Sequence, residues 1–124
     1  MGKLRVLVAD DHEVHRALLD GAFSALGCAV TSVVDGVGAL AAEGPFDIIC
    51  LDRHMPGMDG DEVARRLQGQ GLLVACTSDP ANLDEAFDVF VPKPIDMRRI
   101  AALVQSALEW RALEPGSPCR GAAS

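Results

Sequence analysis

Short runs of apolar, mostly branched residues recur along this chain, and each ends abruptly on a residue with chemistry. LRVLVA ends on Asp10-Asp11, FDIICL on Asp52, LLVAC on Thr77-Ser78 and DVFV on Pro92-Lys93. Their apolar stretches are near-continuous rather than alternating, the pattern of strands buried on both faces of a sheet. A fifth run, CAVTSVV, fits the same description. Between the runs lie segments with helical spacing, and strands alternating with helices define a parallel sheet covered on both sides.

The expected strands are residues 4–9, 28–34, 46–51, 72–76 and 88–91. The first helix is expected over 12–26, with Val14, Ala17, Leu18, Ala22, Ala25 and Leu26 at helical spacing and Gly27 as its stop. A short helix is expected over 37–43, and another capped by Asp59 and running to about Gln68. Pro80 suits the first turn of a short helix over 80–87. The last helix, 95–111, carries Ile100, Leu103, Val104, Ala107 and Leu108 on one stripe. Five strands with right-handed crossovers suit a flavodoxin-like doubly wound α/β sheet of order 2-1-3-4-5. Pro92 places the fifth strand at an edge, where a missing N–H costs little.

The length of 124 residues is one domain. It is expected to occupy 1–112, with 113–124 a turn-rich, disordered tail. Eighteen acidic against eleven basic side chains give a net charge of −7, which argues against direct DNA binding. No apolar run is long enough for membrane insertion and the N-terminus has no signal-peptide core, so the expected location is the cytoplasm. Cys28, Cys50 and Cys76 sit inside apolar runs and read as small buried hydrophobes; Cys119 lies in the tail.

In a parallel sheet the carboxyl ends of all strands share one rim, the usual ligand crevice of open α/β sheets. Asp10, Asp11, Asp52, Thr77 and Lys93 therefore converge. Three carboxylates at one rim demand a counter-charge, and hard oxygen donors suit Mg²⁺. With the Lys93 ammonium and the Thr77 hydroxyl, such a site can stabilise charge on a transferring phosphoryl group. Its natural nucleophile is a carboxylate, and Asp52 is the candidate.

LRVLVADDHEVHRALL, FDIICLDRHMPGMDG, Thr77 and the Lys93-Pro94 pair resemble the receiver (CheY-like) domain of two-component response regulators over about residues 4–110. The resemblance implies that Asp52 accepts phosphate from a histidine kinase or histidine phosphotransfer protein. It implies that Asp10, Asp11 and Asp52, with the backbone carbonyl of His54, hold Mg²⁺. Thr77 would pull toward the phosphoryl oxygens, Lys93 would pair with them, and the bond to Pro94 would be cis. Phe90 falls where the family carries its switching aromatic; plain core packing is the competing reading. The chain departs from the family in three ways. Only residues 78–92 separate Thr77 from Lys93, which shortens the fourth-helix region. Ser78-Asp79 follows Thr77, and Arg53 replaces an apolar residue after the acceptor.

The expected function is a single-domain response regulator, not an enzyme in the ordinary sense, that signals by protein–protein contact as a monomer or weak dimer. A phosphorylation-independent binding module of the same fold is the alternative. An aspartate-nucleophile phosphatase fits less well, because such enzymes place nucleophile and acid two residues apart after the first strand. His54 reads equally as an exposed loop histidine or as an influence on attacking water. His12 and His15, Arg65-Arg66 and Arg98-Arg99 read as helix surface, and Trp110 as cover for the last turn.

Overall fold

A computed structural model describes residues 2–113. Five parallel strands, β1 (Arg5–Ala9), β2 (Ala29–Val33), β3 (Ile48–Asp52), β4 (Leu72–Thr77) and β5 (Val89–Pro92), form one sheet of order β2-β1-β3-β4-β5. Four helices accompany them: α1 (Glu13–Ala25), α2 (Gly36–Ala41), α3 (Gly60–Arg66) and α4 (Met97–Leu113). The flavodoxin-like order expected from the sequence is the observed one. Pro92 is the last residue of β5, opposite Thr77 on the edge strand. The tail from Glu114, with Cys119, lies outside the described residues.

Strand alternation divides the core. Val6, Val8, Ile48, Cys50, Val74 and Cys76 pack with Leu19 and Phe23 of α1 and with Ile100, Leu103, Val104 and Ala107 of α4. Leu7, Ala9, Ile49, Leu51 and Leu73 pack with Ala39 of α2 and with Val63 and Ala64 of α3. β3 is buried along its whole length, as a central strand covered on both faces must be. Cys28, Cys50 and Cys76 are buried free thiols.

Leu108, expected on the apolar stripe of the last helix, is 45% exposed, and two larger expectations are corrected. The inward stripe of α1 is Leu19, Ala22 and Phe23, whereas Val14 and Leu18 are 59% and 53% exposed. The helix is apolar on more than one face, and the bulky Phe23 ring, fully buried, fixes which face turns inward. The second correction concerns 80–87. Among the described residues no helix lies between β4 and β5; the segment is a succession of turns. The fourth helix is replaced rather than shortened. Asn82 adopts a left-handed φ of 54°, and the Asp84 carboxylate accepts the Ala86 N–H at 2.9 Å. Local side-chain bonds of this kind divert the backbone from helix.

The link between β3 and α3 is tight. The Gly60 N–H donates to the Arg53 carbonyl at 2.8 Å, and the Asp59 carboxylate caps α3 through the Glu62 N–H at 3.0 Å. A Cβ at Gly60 would lie 2.3 Å from the Asp52 carbonyl oxygen and 2.9 Å from Arg53 Cα. Backbone cannot yield as a flexible side chain can. Gly60→Ala is expected to destabilise the protein by about 2–3 kcal/mol, read as a lower urea midpoint at unchanged m value. An unchanged midpoint would mean that α3 retreats without cost.

Candidate functional site

The parity of the strands places the site. Asp10 follows β1 in phase with Val6 and Val8, and Asp52 ends β3 in phase with Ile48 and Cys50. Both carboxylates therefore emerge on the same side of the sheet rim. Oxygens of Asp10, Asp11 and Asp52 all lie within 4.8 Å of one another. Asp10 is fully buried, Asp52 nearly so, and Asp11 is exposed.

Lys93, just beyond β5, reaches into the cluster. Its Nζ lies 3.2 Å from Asp10 Oδ2 and 3.5 Å from Asp52 Oδ2. The Lys93–Pro94 peptide is cis, as is Gly44–Pro45. Asp10 Oδ1 accepts the His12 N–H at 2.8 Å at the entrance to α1, and Arg16 donates to the Asp10 carbonyl at 2.9 Å. Asp52 Oδ1 receives a longer bond from the His54 N–H, 3.4 Å. Burial raises the Asp52 pKa above its ordinary value; Lys93 opposes this, and the Asp10 charge adds to it.

Thr77 is buried at the end of β4, and its Oγ1 accepts the Asp79 N–H at 3.1 Å. Asp79 is held below the usual carboxylate range, first by the Ala81 N–H and then by His54, whose Nε2 lies 3.4 Å from Asp79 Oδ2. The His54 side chain is exposed. Phe90 stands away from the acids. It is half-buried on β5 and lines an open groove of about 290 Å³ with Val91, Arg99 and Leu103. The structure thus gathers Asp10, Asp11, Asp52 and Lys93 into one cluster and leaves Phe90 on the outer edge.

The donor set fits a hard divalent cation. Three carboxylates face a single ammonium, and Asp10 Oδ2 is buried without a hydrogen-bond partner, its close cation being Lys93 at ion-pair distance. Oxygen ligands of this kind suit Mg²⁺, so the acidic cluster can hold a metal ion.

Arg53 escaped a functional reading in the sequence, where it stood only as an unusual neighbour of Asp52. Its guanidinium binds Asp61 of α3 through both carboxylate oxygens, at 2.9 and 3.3 Å. It also donates to the carbonyls of Asp79 and Asn82, each at 2.8 Å, and to that of Ala81. No local pattern ties Arg53 to carbonyls 26–29 residues away. Only the tertiary structure shows it.

A doubly wound sheet with an acidic, lysine-bearing cleft at its carboxyl rim defines a narrow class of protein. A family model for the response regulator receiver domain matches residues 6–105, and the chain belongs to that family. The two-component response regulator ORR41 of Oryza sativa subsp. japonica is 32% identical over 116 residues, covering 82% of this chain and 91% of that protein. Response regulator MprA of Mycobacterium tuberculosis is 36% identical over 117 residues, covering 85% of this chain and 50% of MprA. The chain matches only 34% of the length of the Regulator of RpoS of Escherichia coli. Among solved structures, the BeF3-activated DrrB receiver domain superposes with a TM-score of 0.79 at 22% identity, covering 86% of this chain and 98% of that one. The receiver domain of sensor histidine kinase PA1611 from Pseudomonas aeruginosa PAO1, described with magnesium in its active-site cleft, gives 0.77 at 21% identity, covering 87% and 99%. These structural likenesses share the fold.

The raised Asp52 pKa has a thermodynamic consequence. Ionised Asp52 is disfavoured in the folded state, so its penalty is absent below the unfolded carboxylate pKa, grows as pH rises and is complete above the folded pKa. In chelator-treated protein, Asp52→Asn is expected to raise Tm by a few degrees at neutral pH. The gain should fade below about pH 3, where the wild-type group is protonated in both states. A calorimetric scan showing no gain at neutral pH, or an equal gain in acid, would contradict this electrostatic picture.

Proposed function

We propose that this chain is a phospho-acceptor switch: Asp52 receives a phosphoryl group from a phosphohistidine on a histidine kinase or histidine phosphotransfer protein. The observation that carries the reading is the clustering of Asp10, Asp11 and Asp52 within 4.8 Å, with Lys93 between two of them. Asp10, Asp11, Asp52 and the His54 backbone carbonyl would hold Mg²⁺, which would supply positive charge for the phosphoryl oxygens. An Asp52 carboxylate oxygen attacks phosphorus; the O–P bond forms, the N–P bond breaks, and the electron pair leaves with the imidazole nitrogen. Lys93 stays close enough to Asp52 to pair with the incoming oxygens. The Thr77 hydroxyl keeps accepting the Asp79 N–H and turns its own O–H toward the phosphoryl oxygens, and Phe90 responds from the β5 side. Because the same carboxylate carries the phosphate until hydrolysis, the chain is a signalling module that assists its own turnover rather than an enzyme acting on free substrates.

Output then passes by contact with a downstream protein from a cytoplasmic, monomeric or weakly dimeric chain. The net charge of −7 supports a protein target over DNA, and no helix among the described residues is long and apolar enough to cross a membrane. The receiver unit is taken as 1–112. One observation favours the alternative of a phosphorylation-independent binding module: turns replace the helix between β4 and β5.

Incubation with Mg²⁺ and acetyl phosphate separates the two by intact mass. Wild type is expected to gain one phosphoryl group, and the adduct should vanish in Asp52→Asn and in chelator. An adduct that survives Asp52→Asn would move the acceptor elsewhere. No adduct in wild type would favour the binding module.

A further inference from the structure

The segment between β4 and β5 has no helix to hold it, yet it is anchored at two points beside the phospho-acceptor. One anchor is Thr77, whose hydroxyl accepts the Asp79 N–H at 3.1 Å. The other is Arg53, the residue after Asp52. All five N–H groups of its guanidinium are used: two on the Asp61 carboxylate and three on the carbonyls of Asp79, Ala81 and Asn82. Its side chain is largely buried, at 11% exposure. Asp61 in turn accepts the Asp84 N–H at 3.1 Å, extending the hold along the segment. The left-handed Asn82 lies inside the clamped stretch. Strand alternation sends Asp52 to one side of the rim and Arg53 to the other, so the clamp leaves the carboxylate cluster free.

We infer that Arg53 is a positioning residue that sets Thr77 for the phosphoryl group by fixing residues 79–82, a task a helix would otherwise perform. This rests on Asp52 being the phospho-acceptor. The link is short: Arg53 holds the Asp79 carbonyl, and the N–H of the same residue is bonded to the Thr77 hydroxyl. Without the clamp, residues 79–82 sample other conformations and Thr77 loses the partner that fixes its rotamer. The planar five-donor fork makes the requirement geometric, so lysine, with the same charge, cannot meet it.

The test compares wild type, Arg53→Met, Arg53→Lys, Thr77→Ala and the Arg53→Met/Thr77→Ala double variant. Two titrations are run: Mg²⁺ alone, then beryllofluoride as phosphoryl mimic in saturating Mg²⁺. Both Arg53 variants should keep Mg²⁺ affinity within about twofold, which also shows that they fold. Their beryllofluoride affinity should fall about fivefold to tenfold, the net worth of roughly one hydrogen bond. Amide exchange across 79–86 should accelerate. The double variant should be no weaker than Thr77→Ala alone, because both changes remove one interaction. Full rescue by lysine would assign the effect to charge and overturn the inference, as would additive losses or unchanged beryllofluoride affinity in Arg53→Met. Failure of wild type to bind beryllofluoride would overturn both the acceptor reading and this inference.

Discussion

Everything at the functional end of this molecule follows from three carboxylates held together against one ammonium. Like charges within 4.8 Å are tolerated only where topology forces them and a counter-charge is close. Parallel strands supply the force, since β1 and β3 are neighbours whose ends share a rim. Lys93, delivered by the edge strand two positions away, supplies part of the compensation. Three carboxylates still outnumber the one ammonium, and burial, opposed by Lys93 and aided by Asp10, raises the Asp52 pKa. A site left short of positive charge is one that gains by taking up a cation, which is what phosphoryl chemistry on a carboxylate needs.

The rest of the fold rigidifies this arrangement. β3 is buried throughout, and Gly60 lets the start of α3 touch the backbone that carries Asp52. The two helical layers pack on residues of opposite parity, so Asp52 and Arg53, adjacent in sequence, serve different sides of the sheet. One side presents the acids; the other grips α3 and the turns that follow β4. A change of charge at Asp52 is thus one residue away from the group that organises those turns.

Much of this was legible in the residues themselves. Continuous apolar runs gave the strands and their parallel pairing, and the residues at their ends gave the acid cluster and Lys93. What escaped was decided by tertiary contacts. Val14 and Leu18 have helical spacing like that of Leu19 and Phe23, and only the larger buried ring settled which face of α1 turns inward. Residues 80–87 carry helix formers behind a well-placed proline, yet the Arg53 guanidinium captures three carbonyls there and Asp84 caps locally. A pattern search along the chain sees neither bond. Phe90 matched a family position by spacing, while its surroundings, a groove against α4, came from the fold alone.

The central claim is that the acids form one cation site rather than a chance gathering of surface charge. Calorimetric titration with Mg²⁺ tests it most directly, on wild type and on Asp10→Asn, Asp11→Asn and Asp52→Asn. The account predicts one ion per chain, at least about tenfold weaker binding in each variant, and losses in the Asp10/Asp52 pair that do not add. Binding that ignores these substitutions, or no saturable binding in wild type, would contradict it.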